Sequence, residues 1–477
     1  MLCVIKPIKE ENVEMSSQSN NNAKKSVGYL VVLFIILTAI YIVDEISSNI
    51  TTTMQPEVIL DLFKIPGGSV LSEEFEDAVG LFTAFSMVSY VFMLIAPFYK
   101  ALADKFGRKP FLILNTLLMG VGMAICMIAP NYIVYIIGVL VITFVKSNDM
   151  QVMYIIETAP DNHRAKLCNL TKAIGLVSVA LIGVFRQMFY NKEDLSSWRM
   201  VFLIPAILGI AVALICIPIV KETPVFLKKK ADREAALATA SSTVDKVEEK
   251  SIEEGIDKEN KEQKSRGGVI NAFKYIFRDP QVRKIMIAAM AFALVTGITT
   301  YYTTVLKASS DGGLITEEMI SIVLVIFPFV NGLFTLICGF LSDALGRKKA
   351  CFVFSGVAMI GLILFVLGTQ FGWSHIVIGI GWGMFIGTLW SITDTLVLVM
   401  PSEATPTDMR ASVLGVMSLL LSVGMALSII IFTVAMNVFG TDTLGIVSLV
   451  ICIPLTIVSC ILLTRVKETK GNDLNAG

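Results

Sequence analysis

Asp104-Lys105-Phe106-Gly107-Arg108-Lys109 is echoed later in the chain by Asp343-Ala344-Leu345-Gly346-Arg347-Lys348. Two further echoes follow in the same order. Glu157-Thr158-Ala159-Pro160, with Arg164 after it, returns as Glu403-Ala404-Thr405-Pro406 with Arg410. Val220-Lys221-Glu222-Thr223 returns as Val466-Lys467-Glu468-Thr469. The interval from Glu157 to Glu222 equals that from Glu403 to Glu468. One short match can arise by chance, but three in register mark a duplication of the chain.

Between these polar motifs the sequence is strongly apolar. Of 477 residues, 55% are hydrophobic and 16% charged, against about 25% charged in a soluble domain. A run of roughly 20 apolar residues spans a bilayer as a helix, which satisfies its own backbone hydrogen bonds. Twelve such runs are expected near 27–49, 78–99, 110–130, 131–156, 167–190, 198–220, 284–306, 316–338, 350–369, 373–399, 411–435 and 442–464. They form two six-helix halves, 27–220 and 284–464, flanked by polar tails at 1–26 and 465–477. The stretch 221–283 is rich in Lys and Glu and reads as a solvated linker, helical in part.

Lysine and arginine in short loops set orientation. Lys100, Lys105, Arg108 and Lys109 follow the second run, Arg164 and Lys166 the fourth, and Arg347, Lys348 and Lys349 the eighth. The opposite segment, Ile46 to Asp77, holds only Lys64 among several acids. Both termini and the linker are therefore expected in the cytoplasm, with the chain in the plasma (inner) membrane. The N-terminus lacks a signal-peptide pattern. Thirty-nine basic residues balance 39 acidic ones, which gives no footprint for nucleic acid. The eight cysteines form no CxxC or Cys/His cluster, so neither a metal site nor a cofactor is expected. The expected partners are the bilayer, a small-molecule substrate and protons, with the carrier acting as a monomer.

The Asp-x-x-Gly-Arg-Lys loops after spans two and eight resemble the signature loop of the major facilitator superfamily. The Glu-x-x-Pro-x-x-x-Arg pairs, Glu222-Thr223-Pro224-Val225-Phe226-Leu227, Trp198-Arg199 and Lys467-Glu468-Thr469-Lys470-Gly471 resemble its sugar-porter and organic-ion branch. The resemblance implies an all-α fold of twelve transmembrane helices in two pseudo-symmetric bundles, with a central site near the midplane. It also implies a gate: Asp104, Gly107, Arg108, Glu157, Arg164 and Glu222 in one half, and Asp343, Gly346, Arg347, Glu403, Arg410 and Glu468 in the other. In that family such charges latch the cytoplasmic side. Physically, Gly107 and Gly346 permit a tight turn. Asp104 and Asp343 can sit at a helix N-terminus, and the arginines can pair with the glutamates. The bland reading is a set of topology charges, but the positive-inside rule needs no acids.

Ionisable residues inside spans are costly and become candidates for binding substrate or protons. Asp44 lies in the outer part of span one, where burial would let a carboxylate load and release protons. Lys146 and Asp149 share one face of span four, as a self-neutralised pair or as one that opens for a proton or charged substrate. Arg186 lies in the outer part of span five, where it either snorkels outward or binds an anionic group. Asp394 sits toward the inner end of span ten, where the repeat maps Asn148. Tyr301 and Tyr302 in span seven, and Trp382 and Trp390 in span ten, can stack on a sugar or hold an organic cation, or simply pack. Asn331 in span eight is the best uncharged hydrogen-bonding candidate.

Departures from the sugar-porter pattern leave the cargo open. Span seven reads Thr296-Gly297-Ile298-Thr299-Thr300-Tyr301-Tyr302, without the family's Gln pair and Asn. The expected function is secondary active transport by alternating access, as proton symport of a sugar, carboxylate or other metabolite. Proton-coupled efflux of organic cations or drugs is the rival, and a non-transporting sensor the more distant one. No phosphate loop or nucleophile–base set points to an enzyme.

Overall fold

The computed structural model describes residues 17–89, 99, 102–103, 106–146, 150–159, 164–242, 269–406 and 409–470. Among them the chain is helical, and eleven helices are long and apolar enough to cross a membrane. They are Gly28–Thr53, Arg108–Ile128, Tyr132–Thr158, Leu170–Phe189, Leu195–Ile219, Pro280–Asp311, Glu317–Leu345, Arg347–Gln370, His375–Ala404, Ser412–Phe439 and Leu444–Thr464. These are spans one and three to twelve, and the ordinals are kept below. Span two is described as Glu73–Ser86, capped by the Ser72 hydroxyl on the Phe75 N–H. The rest of its expected range, 90–98, lies outside the described residues.

Small residues decide how closely the helices cross. A methyl group on Gly120 would strike the Ile210 backbone at 2.7 Å, and one on Gly361 would meet the Gly381 carbonyl at 2.7 Å. Spans three and six thus touch almost backbone to backbone in the first half, as spans nine and ten do in the second. Apolar side chains fill the space between helices, while many others face outward, as a lipid-facing surface requires. The linker is helical over Pro224–Ser242 and Val269–Arg278.

The segment after span one is folded rather than loose. Gln55–Leu62 makes two helical turns, Pro66–Gly68 turns the chain, and span two follows. Gln55, Glu57, Val58, Ile59 and Leu60 are buried, so this segment caps the bundle at the face away from the termini. We call that face distal and the other terminal.

Candidate functional site

Among the described residues, the polar contacts between the two halves gather at the distal face. Arg186 of span five is 1% exposed and uses all its nitrogens. Its Nε and Nη2 donate to Glu57 Oε1 at 3.2 and 2.7 Å, and Nη2 also reaches Glu317 Oε2 at 2.6 Å. Nη1 donates to the Glu317 carbonyl at 3.1 Å and Ser321 Oγ at 2.9 Å. The other oxygen of Glu317 pairs with Lys307, which is also 1% exposed and lies 3.6 Å from Asp311. Lys192 binds Asp311 at 3.0 Å from the first half, and the Val70 N–H donates to the same carboxylate at 3.0 Å. Each buried charge thus has a counter-charge or oriented dipole, without which its desolvation would be prohibitive. The Arg186 guanidinium also lies 4.6 Å over the Tyr190 ring. Burial, reinforced by Glu57 and Glu317, pushes the Tyr190 phenol above its ordinary range and keeps it protonated.

Inside this seal a second layer joins the halves through hydroxyl groups. Tyr301 Oη lies 3.1 Å from Thr83 and 2.5 Å from Thr433. Tyr302 Oη lies 3.0 Å from Thr53, and its ring stacks on Trp382 at 4.6 Å. The Thr303 hydroxyl donates to the Thr52 carbonyl at 3.1 Å. Glu76, at the start of span two, accepts the N–H and hydroxyl of Thr441, beyond span eleven.

Below this layer lies a cavity of about 140 Å³. Ser48, Thr51, Thr52 and Gln55 line it from span one and its continuation, at the spacing that keeps side chains on one helical face. Thr83, Ser86 and Ser89 line it from span two, with Thr143 and Thr300 opposite. Hydroxyls and one carboxamide supply the polarity, and among the described residues no ionised side chain lines the cavity.

At the terminal face the duplicated motifs pair within their own halves. Arg108 meets Glu157 at 3.2 Å, and Arg347 meets Glu403 at 3.0 Å. Thr223 and Thr469 donate to the second oxygens of those glutamates. Among the described side chains, Glu222 and Glu468 do not pair with an arginine. Each instead accepts backbone N–H groups at the start of an earlier span, Glu222 from Arg108 and Lys109 of span three, Glu468 from Arg347 and Lys348 of span nine. Asp343 turns to Arg347 Nη1 at 2.6 Å and leaves the helix start to Glu468. Gly107 at φ 108° and Gly346 at φ 93° make this possible, because a Cβ on Gly346 would lie 2.7 Å from Glu468 Oε2.

Burial opposes the charge of Glu468, but the N–H groups of Lys470, Arg347, Lys348 and Thr469 outweigh it and hold the carboxyl below the usual range. A depressed folded-state value stabilises the fold above the unfolded value, about 4.3. That gain disappears as the pH falls through the lower folded value. Melting curves of wild type and E468Q should therefore differ near neutral pH and converge on acidification below about pH 4.

The remaining candidates are scattered. Asp44 is buried, and its Oδ2 accepts Gln151 Nε2 of span four at 2.7 Å. Lys146 ends the helix Tyr132–Lys146, while Asp149 and Asp104 lie outside the described residues. Arg164 opens the helix Arg164–Ser178. Arg410 Nη2 reaches the Thr405 carbonyl at 3.5 Å. Asp394 is exposed at the end of its helix, just before a π-helical turn, Thr395–Val399. Asn331 is buried and accepts Thr335 Oγ1 at 3.3 Å. Trp382 is buried and Trp390 half-buried. Arg186 neither snorkels nor waits for an anion, because Glu57 and Glu317 already occupy it.

Glu57, Lys307 and Glu317 were not among the residues singled out from the sequence. Lys307 falls one residue past the expected end of span seven, and Glu317 sits at the edge of span eight. The acid-rich segment from Ile46 to Asp77 was the available signal.

The model of the Major Facilitator Superfamily matches residues 31–397 and 312–477. The chain belongs to the major facilitator superfamily. Like other members it is a multi-pass membrane carrier, not an enzyme. It is 24% identical over 357 residues to the glucose transporter GlcP of Staphylococcus epidermidis, covering 72% of this chain and 76% of that one. It is 25% identical over 349 residues to the arabinose-proton symporter of Bacillus subtilis, covering 67% and 70%. The human proton myo-inositol cotransporter is 27% identical over 284 residues, 56% of this chain and 42% of that one. Among solved structures, a D-xylose-proton symporter superposes with TM-score 0.65 at 16% identity, covering 93% of this chain and 99% of that one. The inward-open xylose transporter of E. coli gives 0.62 at 16% identity, covering 93% and 98%.

Proposed function

We propose that this superfamily member takes up a neutral, polyhydroxylated solute of the sugar or cyclitol kind together with a proton, by alternating access. The observation that carries the reading is the cavity lining, which among the described residues consists of hydroxyls and one carboxamide beside apolar groups, without an ionised side chain. Such a lining offers donors and acceptors to a solute bearing several hydroxyls, but nothing to repay the desolvation of a charge. The relatives, a glucose transporter, an arabinose-proton symporter and a proton myo-inositol cotransporter, point the same way.

In this reading the halves 27–220 and 284–464 move as units, joined by the linker 221–283. The termini and linker then face the cytoplasm of a plasma-membrane carrier, a reading the basic loops support, and the distal face is outer. With the outer seal closed, the cavity is poised toward the inside. The pairs Arg108–Glu157 and Arg347–Glu403 brace each half while it rocks. Asp44, beside Gln151, is the residue we assign to the proton, because a buried carboxylate changes charge at low cost when its surroundings change.

A thermal-shift screen of purified protein against sugars, cyclitols, carboxylates and organic cations tests the assignment. A ligand that binds the folded state raises its melting temperature. Sugars or cyclitols should give the shift, and Asp44→Asn should remove its pH dependence; shifts confined to cations would contradict uptake. Within the cavity, Gln55→Leu and Thr51→Val should each weaken binding about 2- to 10-fold, the loss of one neutral hydrogen bond, read as a higher KM for uptake.

A further inference from the structure

The two copies of the duplicated motif differ in charge in a way their shared architecture does not require. In the first half, the positions around the Glu222 cap are Lys109, Pro110, Ile219, Lys221 and Pro224. The matching positions around Glu468 are Lys348, Lys349, Arg465, Lys467 and Lys470. Two cations against one carboxylate have become five against one. These five line a cleft of about 760 Å³ between the starts of spans nine and the end of span twelve.

The structure accounts for two of the five. Lys348 Nζ donates to the Thr464 and Val466 carbonyls at 2.8 Å, and Lys470 Nζ to the carbonyls of Asp343 and Ala344. Glu468 is committed to backbone N–H groups. Lys349, Arg465 and Lys467 are exposed. One helical turn into the membrane from Lys349 lies Val353, and one turn from Arg465 lies Ile461. Both are exposed, at 44% and 55%, as is Leu345 at the cleft edge. Cations at headgroup depth thus stand directly above apolar, outward-facing surface. A soluble anion would use only the first of these features, whereas a phospholipid with a net negative headgroup uses both.

We propose that this cleft binds the phosphate of an anionic phospholipid in the leaflet on the side of the termini, through Lys349, Arg465 and Lys467. The depth of the cleft follows from the helix ends, so the inference needs neither the proposed cargo nor proton coupling.

The test uses full-length protein in nanodiscs of phosphatidylcholine titrated with phosphatidylglycerol, with retained lipid counted by native mass spectrometry. Wild type should retain phosphatidylglycerol in preference to phosphatidylcholine. The K349Q/R465Q variant should lose about 30-fold in that preference, the equivalent of about 1 kcal/mol per cation. A control that removes two exposed lysines elsewhere on this face, K228Q/K274Q, should retain it. Equal losses in both variants would show diffuse surface charge and overturn the proposal. So would unchanged retention in K349Q/R465Q. Saturation by inorganic phosphate in place of lipid would assign the cleft to a soluble anion and equally overturn it. Circular dichroism melts of each variant show that the fold survives.

Discussion

Gly183→Leu is expected to force the distal face open and to abolish most transport. Gly183 lies one turn before Arg186, where spans five and eight cross between the halves. A Cβ there would sit 2.8 Å from the Ser321 carbonyl and the Val325 nitrogen, and 2.9 Å from the Leu324 carbonyl carbon. These are backbone atoms of a helix and cannot swing aside like a side-chain end. The substitution therefore penalises the closed distal face and leaves its separated alternative untouched. Overpacking of this kind costs about 1–3 kcal/mol, enough to move a conformational equilibrium by roughly tenfold to a hundredfold. Spin labels at Leu71 and Leu314, both exposed at the distal face and on opposite halves, should move apart in the variant. Uptake should fall by about tenfold or more. The conservative Gly183→Ala should give the same direction with a smaller displacement.

The other large effect is expected at Arg186. Arg186→Gln leaves Glu57 without its cation and takes one of three cations from Glu317, whose others are Lys307 and, at 4.0 Å, Lys192. Removing one partner of a buried pair costs about 3–5 kcal/mol, so the melting temperature should drop by several degrees. Adding Glu57→Gln removes the stranded charge, while Glu317 keeps Lys307. The double variant should therefore be more stable than Arg186→Gln alone, a coupling that a double-mutant cycle measures directly. Simple addition of the two single effects would mean that the charges do not act as a unit. Transport should fail in both variants, because Arg186 also holds the two halves together through Glu317 and Ser321.

The fold was legible because its signals are local. Apolar runs mark spans, and the three repeated motifs sit at helix ends where the turn chemistry of Gly107 and Gly346 must be met twice. The Arg108–Glu157 and Arg347–Glu403 pairs follow from the same motifs. Less of the site could be read. Asp343 looked like the residue for the helix start, but Glu468 arrives there from the end of span twelve, a placement fixed only by packing. Arg186 stood out as a charge within a span, yet its partners are 129 and 131 positions away in sequence. Glu57 carried no sign of burial, because the sequence does not show whether the segment after span one caps the bundle or extends its helix, and only the fold packs its apolar residues over the bundle. Hydroxyl residues were the hardest to read: Thr51, Thr83 and Thr300 are ordinary in transmembrane helices, and only their convergence makes a cavity.

The seal also explains why substitutions at Tyr301 and Tyr302 are ambiguous tests of substrate stacking. Both phenols bond across the halves, so their loss would disturb closure as well as any ligand contact. The cavity residues Gln55 and Thr51 separate these effects better.

Proton-driven uptake is the central claim, and pH recording in proteoliposomes tests it most directly. With no imposed gradient, adding a sugar or cyclitol that stabilises the protein should alkalinise the weakly buffered external medium as solute and proton enter together. Asp44→Asn should abolish the alkalinisation while leaving solute exchange intact. Solute entry without any pH change, or acidification in its place, would contradict proton symport by this carrier.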